Sequence, residues 1–594
     1  MRKQLSDLRA AMLSAGVTWY LVPTDDFHSS EYVGEYFKCR RWLTGFTGSA
    51  GTALVGGDRA GLWTDGRYFL QAAQQLDGSG FTLMKMGEPQ VPKLFDYLKD
   101  NLHPGDVLAY DGRTVTAREH LRMEKMAAEH GASVRTDLDL VGQIWNGRPA
   151  LSAEPVFELD IRYTGRSRAD KLADLRASLE EEGADAIILA SLSDICWLTN
   201  LRGNDVACTP VVLSFMLVQA DCAVLFINET VLSADIRAHL ESDGIRIAPY
   251  DQVEDAVRRL PSGSALMLDR GAVNSSIHSA VPNDVRIIDK VSPTVLPRGI
   301  KNPVEVANFR TAHIRDGVAV TRFMYWLKHR IGEVPMTEIS VAGKLEEFRR
   351  EQDNYLEPSF SPIMGYGPHG AIIHYGATKE SSVALEPRSF LLADTGGHYL
   401  EGTTDITRTF ALGPLTDEEK AMYTLVLRSH LRLGAAKFRY GCSGLNLDIL
   451  ARMPFWEKGL DYNHGTGHGV GYVLSVHEGP HGFRWRAADF RSVPALEPGM
   501  VTSDEPGIYL EGKFGVRLEN LTVVCDTQTN AYGRFLHLEY LTMVPFDLDA
   551  VVPEQMSVEE RGWLNAYHQQ VYETIAPLMP ESERDWLRHA TRSI

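Results

Sequence analysis

Two segments in the first half of the chain follow one pattern. Residues 8–16 and 175–183 each read as an amphipathic helix that is closed by a glycine. A short apolar stretch typical of a buried strand follows each helix, and a loop then leads to Trp-Leu-Thr, at Trp42 and at Trp197. We interpret the pair as two α/β domains, residues 1–158 and 159–300. Chance similarity between two helix–strand units is the alternative.

Length and charge limit the classes of protein that remain. A chain of 594 residues is too long for one core and predicts three to four domains. Its net charge of −18 disfavours nucleic acid and anionic membrane as partners. We find no apolar run of membrane-spanning length and no secretory signal. The six cysteines are scattered without a paired motif, so we expect reduced thiols and a cytoplasmic protein.

A new helix begins near residue 301 and marks the main boundary. Asn302 suits the helix cap, Pro303 the first helical position, and Glu305 the positive end of the helix dipole. The strand-rich segment 301–548 holds most of the polar residues of interest. Residues 549–594 read as an acidic helical extension, which we interpret as a packing appendage.

Five polar side chains within 301–548 stand in apolar strand or glycine-rich sequence: Asp394, Asp405, His468, Glu505 and Glu519. Burying a carboxylate is costly unless a cation or hydrogen bonds compensate. One such aspartate is more often structural than catalytic. Four carboxylates with one imidazole, however, favour a pair of hard or borderline divalent ions such as Mn²⁺ over a structural zinc.

The strands that carry the two aspartates are predicted to pair. Leu391–Asp394 is an apolar stretch that ends in a carboxylate, and Asp405 stands in a second strand. The pair Gly396 and Gly397 between them suits a turn, so we expect a hairpin.

In this order, the five residues resemble the ligand set of the pita-bread metallopeptidases, which include methionine aminopeptidase, prolidase and aminopeptidase P. Narrower motifs at residues 370–375, 464–471, 477–480 and 496–500 look like those of cytosolic-type Xaa-Pro aminopeptidase, and residues 63–72 are similar to its first domain. The resemblance covers nearly the whole chain. It implies an α/β (α+β) fold with two creatinase-N-like domains, a pita-bread catalytic domain at 301–548, and the extension at 549–594.

The resemblance also implies roles for the five residues. Asp394 would bind one of two divalent metal ions, Asp405 and Glu519 would bridge both, and His468 and Glu505 would complete the shell of the other. The ions would share a water or hydroxide as the nucleophile. Glu505 would carry its proton to the leaving proline nitrogen.

Histidines and arginines complete the implied site. His374, His464 and His477 resemble the substrate and transition-state histidines of the family, and His374 and His477 would stabilise charge on the tetrahedral intermediate. Arg517, two residues before Glu519 on what we expect to be one strand, would orient neighbouring carboxylates. Arg67 would meet substrate from the first domain; an exposed surface arginine is the alternative interpretation. His374 could also simply end a strand.

The implied activity is release of the first residue from peptides with proline in second position, by an enzyme expected to be a homodimer. Two departures from the family pattern, Asp504 in place of an asparagine and Ile508 in a position that is often aromatic, remove no ligand. Three alternatives share the fold: a prolidase, which cuts only dipeptides; a creatinase-like amidinohydrolase without the metal site; and a non-catalytic peptide- or histone-binding module. The intact ligand set counts against the last two.

Overall fold

The computed structural model describes residues 2–487 and 493–594. The chain divides into two compact units, one of Met1–Asp160 and Arg166–Val295, the other of Ile161–Gly165 and Leu296–Ile594. None of the helices in these described ranges is long and apolar enough to cross a membrane.

The first unit begins with a six-stranded sheet in the order β4-β3-β2-β1-β5-β6. Its strands are β1 (Trp19–Pro23), β2 (Thr52–Gly56), β3 (Ala60–Thr64), β4 (Thr82–Lys85), β5 (Val107–Ala109) and β6 (Ser133–Arg135). The accompanying helices are α1 (Lys3–Ala15), α2 (Cys39–Thr44), α3 (Phe69–Gln75), α4 (Leu94–Asn101), α5 (Ala117–Glu129) and α6 (Leu140–Ile144).

A second six-stranded sheet follows in the same unit, in the order β12-β11-β10-β8-β13-β14. The strands here are β7 (Phe157–Glu158), β8 (Ala186–Leu189), β9 (Leu201–Arg202), β10 (Ser214–Gln219), β11 (Ala223–Ile227), β12 (Ile245–Pro249), β13 (Ala265–Leu268) and β14 (Arg286–Asp289), of which β7 and β9 pair separately. The helices are α7 (Ile161–Thr164), which belongs to the second unit, α8 (Arg168–Glu181), α9 (Leu192–Thr199), α10 (Ala234–Ser242), α11 (Val253–Arg258) and α12 (Ser275–Ser279).

The two sheets have the same topology. In each, the central strand pairs antiparallel with one neighbour and parallel with the other, as β1 does with β2 and β5, and β8 with β10 and β13. This common order confirms the internal repeat. Trp42 and Trp197, to which the predicted loops lead, lie in helices α2 and α9. Each helix ends in a left-handed residue, Gly45 or Asn200.

The second unit combines helices with several short sheets. The helices are α13 (Val295–Gly299), α14 (Pro303–Arg330), α15 (Glu338–Arg350), α16 (Asp417–Gly434), α17 (Gly444–Trp456), α18 (Val558–Ile575) and α19 (Glu581–Ala590). As predicted, Asn302 caps α14, with Pro303 in its first turn and Glu305 completing a capping box.

The strands of the second unit are β15 (Tyr355–Pro358), β16 (Ile363–Tyr366), β17 (Phe390–Thr395), β18 (Gly397–Tyr399), β19 (Gly402–Thr403), β20 (Ile406–Ala411), β21 (Lys437–Arg439), β22 (Val501–Asp504), β23 (Gly507–Leu510), β24 (Phe514–Arg517), β25 (Asn520–Asn530) and β26 (Gly533–Tyr540). They form the sheets β15-β18-β19, β16-β17-β20, β21-β26-β25-β22 and β23-β24.

The predicted pairing of the two aspartate-bearing strands is present, but the predicted turn is wrong. β17 and β20 pair antiparallel, whereas Gly397 begins β18, which pairs with β19 in a separate small hairpin. Gly396 is needed for close packing, because a Cβ there would lie 2.0 Å from the Thr404 carbonyl oxygen.

The carboxyl-terminal helices pack into the core of the second unit. Leu564, Val571 and Leu587 are fully buried in the same cluster as Phe390 of β17. The side chain of Tyr567 accepts a hydrogen bond from Arg408 of β20 at 3.1 Å. The extension therefore supports the strands that lead into the polar site. The division at residues 158, 300 and 548 stays a prediction.

Candidate metal centre

Neighbouring strands of one sheet bring the first two carboxylates together. Asp394 lies near the end of β17, opposite Thr407 of β20, and Asp405 immediately precedes β20. Residues opposite one another on antiparallel strands face the same side. That side also holds Glu519, whose Oε2 accepts a 2.7 Å hydrogen bond from Thr407 Oγ1.

The other candidate ligands come from the ends of β22 and β25 and from a glycine-rich loop. Glu505 follows β22 and Glu519 precedes β25, and the two strands pair antiparallel. His468 lies in the loop after α17 and donates its backbone N–H to Ser503 Oγ at 2.9 Å. Gly467 permits this approach, because a Cβ would lie 1.8 Å from the Ser503 carbonyl oxygen.

Three of these side chains converge closely enough to share an ion. Asp405, His468 and Glu519 each offer a ligand atom, and these atoms lie within 4.8 Å of one another. His468 Nε2 is also 3.5 Å from Asp405 Oδ2 and 3.4 Å from Glu505 Oε1. The structure thus gathers residues that are far apart in sequence.

Crowding of negative charge perturbs the carboxylates. Burial raises the pKa of Asp405 well above its ordinary value, and the nearby Asp394 and Glu505 raise it further. Burial also raises the pKa of Glu519, with Asp405 and Asp394 as the next causes. Burial and Glu519 together raise the pKa of Glu505 to about 7. A bound cation would offset the mutual repulsion of these buried carboxylates and stabilise their ionised forms.

Two buried oxygens support the same conclusion. Within the part of the chain that the structure describes, Asp394 Oδ1 and Glu519 Oε1 have no hydrogen-bond partner. An unpaired buried polar atom is costly, and a metal ion would satisfy both oxygens. Oxygen-rich donors with one imidazole fit hard or borderline divalent cations.

Arg517 sits beside the carboxylates, as the resemblance implies. Its Nη2 donates to Asp394 Oδ2 at 2.5 Å, and its Nη1 donates to Tyr509 Oη at 2.8 Å. The reasoning that placed Arg517 and Glu519 on one strand is wrong, because Arg517 ends β24 and Glu519 lies in the link to β25. The two side chains nevertheless act on one site, since Arg517 lowers the pKa of Glu519 while other groups raise it.

The three candidate histidines lie in loops around this centre. His477 packs edge-on to His468, with ring centroids 4.3 Å apart. His464 Nε2 lies 2.8 Å from Tyr509 Oη, and Nδ1 lies 2.7 Å from the Gly465 carbonyl. His374 is in a turn and does not end a strand, and the preceding carbonyl, that of Ile373, accepts from Arg517 Nη2 at 3.4 Å.

Arg67 belongs to the first unit, just after β3. Its Nε and Nη2 donate to the two carboxylate oxygens of Asp65 at 2.8 and 2.9 Å. A role in meeting substrate stays a prediction.

Comparison with known proteins accounts for the whole chain. Residues 307–526 match metallopeptidase family M24, and 534–594 match the C-terminal region of peptidase_M24. Residues 4–138 and 147–305 each match the creatinase/prolidase N-terminal domain. Aminopeptidase P1 of Arabidopsis thaliana is 36% identical to this chain over an alignment 646 residues long. The alignment covers 100% of this chain and 99% of that protein. The chain belongs to the aminopeptidase P family.

Two further members of the aminopeptidase P family show the same full-length likeness. The probable Xaa-Pro aminopeptidase P of Laccaria bicolor is 38% identical over 601 residues, covering 99% of this chain and 92% of its own. The crystal structure of X-prolyl aminopeptidase from Caenorhabditis elegans, described as a cytosolic enzyme with a di-nuclear active site, superposes with a TM-score of 0.95. That protein is 32% identical, with 100% of this chain and 99% of the other covered. The fold class expected from the aminopeptidase P resemblance is therefore confirmed.

Several buried polar residues hold the site loops, and the sequence did not reveal them. Arg452 of α17 donates from Nη2 to the His464 carbonyl at 2.7 Å and from Nε to Asp448 at 2.8 Å. Glu338 of α15 accepts from Tyr375 Oη at 2.8 Å, next to His374. Each fixes a loop that carries a candidate histidine. An exposed helix face would show the same polar residue types, so no local signal marks them.

The raised pKa values predict pH-dependent metal uptake. Below about pH 4.5, the ordinary pKa that Glu505 keeps in the unfolded chain, its protonated form contributes fully to the stability of the metal-free fold. That contribution is lost as the pH rises through about 7. Metal should therefore raise the melting temperature more at pH 8 than at pH 5.5, and binding should release protons.

Calorimetry in buffers of different ionisation enthalpy measures the released protons. Melting scans with and without Mn²⁺ at both pH values measure the stabilisation. An equal shift in melting temperature at both pH values, together with no proton release, would contradict the charge crowding described above.

Proposed function

We propose that this chain is a two-metal aminopeptidase that hydrolyses the first peptide bond of substrates with proline in second position. The observation that carries the proposal is the convergence of ligand atoms from Asp405, His468 and Glu519 within 4.8 Å. Similarity to aminopeptidases P along the full length supports this activity over the prolidase alternative. The same site geometry argues against a non-catalytic module.

Five residues would hold two divalent ions: Asp394, Asp405, His468, Glu505 and Glu519. The C. elegans relative is described as having a di-nuclear active site, which supports this stoichiometry. We propose Mn²⁺ as the metal, because carboxylate oxygens outnumber the single imidazole. When bound, such ions acidify water and polarise the scissile carbonyl.

The remaining residues bind, orient and move protons. Glu505 is suited to accept a proton from the attacking water and deliver it to the proline nitrogen, since its carboxylate can take either form near neutral pH. His374 and His477 would stabilise negative charge on the carbonyl oxygen of the substrate. His464 would line the path of the peptide, and Arg517 holds Asp394 in place. Arg67 is a further candidate contact with substrate.

Family resemblance is also the basis for the oligomeric state and the compartment that we propose. We propose a homodimer in the cytoplasm that acts on peptides, and the C. elegans relative is described as cytosolic. A net charge of −18 disfavours nucleic acid as a partner.

Substrate length tests the proposal most directly. A tripeptide Xaa-Pro-Yaa should be cleaved with release of Xaa alone, whereas Xaa-Ala-Yaa should be a poor substrate. An aminopeptidase must leave room for the peptide beyond proline, while a prolidase must capture the proline carboxylate and exclude longer chains. Mass spectrometry of Arg-Pro-Pro and Arg-Pro digests identifies the products. Hydrolysis of the dipeptide alone, or release of Xaa-Pro as one unit, would contradict the aminopeptidase and leave the metal centre standing.

A further inference from the structure

A buried ion pair lies close to the segments that carry the first two candidate ligands, Asp394 and Asp405. Asp316 of α14 and Arg349 of α15 are joined by two hydrogen bonds, Nε to Oδ1 at 2.7 Å and Nη2 to Oδ2 at 3.1 Å. Their side chains are 0% and 3% exposed. The two charges are thus fully enclosed by the second unit.

The pair is bonded to three further residues: Thr395 in β17, Tyr399 in β18, and Thr404 in the link between β19 and β20. Thr404 Oγ1 donates to Asp316 Oδ2 at 2.6 Å, and Tyr399 Oη donates to Oδ1 at 3.0 Å. Arg349 Nη2 donates to Thr395 Oγ1 at 3.1 Å. The Asp316 carboxylate therefore accepts four hydrogen bonds, two from arginine and two from hydroxyl groups.

The two threonines that bond to the ion pair are the sequence neighbours of Asp394 and Asp405. Thr395 directly follows Asp394, and Thr404 directly precedes Asp405. Successive side chains on an extended strand point to opposite faces, so Thr395 turns away from the face of Asp394. The ion pair thus bonds to the hydroxyl group of the residue next to Asp394 and to that of the residue next to Asp405.

A contribution to the stability of the fold does not by itself explain why a buried ion pair is present here. Removing two charges from water costs energy, and well-packed apolar residues often replace a buried pair at no loss of stability. A network in which every acceptor is used does, however, fix the atoms that it joins. Two carboxylates that repel each other need to be held in place before a metal arrives.

We propose that Asp316 and Arg349 are positioning residues of the metal centre. Arg349 holds Asp394 in place through Thr395, and Asp316 holds Asp405 in place through Thr404. This inference rests on the proposed two-metal function. It assigns to the pair a role in metal affinity that acts through the threonine hydroxyls.

The test uses the full-length chain with three separate substitutions: Thr404→Val, Thr395→Val and Arg349→Lys. The valines keep the shape of threonine and remove the hydroxyl, while lysine keeps the charge and removes the forked bonding. Each should weaken Mn²⁺ binding by about 10- to 100-fold, the usual effect of losing a residue that orients a ligand. Calorimetry measures the dissociation constants, and saturating Mn²⁺ should restore most of kcat.

Matched controls lie elsewhere in the same unit. Thr424→Val removes a buried hydroxyl that accepts from the Val552 backbone at 3.0 Å. Arg428→Lys disrupts an arginine–carboxylate pair with Glu560 at 2.9 Å. Both should lower the melting temperature of the metal-free protein about as much as the test variants and leave Mn²⁺ affinity unchanged.

The outcomes separate positioning from plain structural support. Affinity within about twofold of wild type in folded Thr404→Val and Arg349→Lys proteins would overturn the role, even if stability falls. If Arg349→Lys does not fold, the two valine variants decide. Fewer than two ions in the wild-type protein would overturn the proposed metal centre as well. Two ions in wild type with unchanged affinity in the variants would overturn the positioning role alone.

Discussion

Replacing Asp405 or Glu519 by alanine should abolish metal binding and peptide hydrolysis together. Both side chains contribute ligand atoms to the same cluster, with His468 as its third member. Each is assigned to contact both ions, so its loss removes a ligand and leaves two cations to repel each other. We expect kcat/KM to fall at least about 1,000-fold, which corresponds to about 4 kcal/mol of transition-state stabilisation. Elemental analysis gives the metal content, and steady-state kinetics give the activity.

An exposed aspartate on β25 provides the control for this prediction. Asp526 pairs with Arg534 at the surface, and its side chain is 58% exposed. Asp526→Ala should keep two ions per chain and wild-type activity. A full complement of two metal ions in either Asp405→Ala or Glu519→Ala would refute the bridging assignment, whatever the activity.

Local sequence context made the candidate ligands visible. Asp394 stands at the end of an apolar strand, and His468 stands among glycines, where a polar side chain requires an explanation. The internal repeat could also be predicted from the sequence, because helix and strand patterns occur in the same order twice. That the structure gathers these side chains agrees with the interpretation, while their roles as ligands stay predictions.

Long-range packing explains what the sequence could not provide. Gly396 was assigned to a turn, but its role is to let the backbone approach Thr404 closely. Asp316 and Arg349 lie on helices α14 and α15, where charged residues usually face solvent. Only the folded chain shows that they are buried and bonded to the residues beside Asp394 and Asp405. Neither the close approach at Gly396 nor the burial of the ion pair can be predicted from a short stretch of sequence.

Glu505→Gln should lower turnover far more than it lowers substrate affinity. Glutamine keeps the size and one carbonyl oxygen of the side chain but cannot accept the proton that the mechanism assigns to Glu505. General acid–base catalysis contributes about 100- to 10,000-fold, so kcat should fall by that factor while KM changes only a few-fold. Metal content is measured first, and kinetics are run at saturating Mn²⁺, because Glu505 is also a candidate ligand.

The adjacent residue supplies the matched control for Glu505→Gln. Asp504 is fully buried, and its Oδ2 lies 3.3 Å from His430 Nδ1. Asp504→Asn makes the same change from carboxylate to amide one position away, and it should keep kcat within a few-fold of wild type. If Glu505→Gln retains turnover and loses only affinity, Glu505 positions substrate or metal and the proton moves by another route. If both variants lose turnover equally, the effect belongs to the end of β22 and the residue that follows it, and not to Glu505 alone. A loss confined to Glu505→Gln, with both ions bound, is the result that assigns the proton transfer to this side chain.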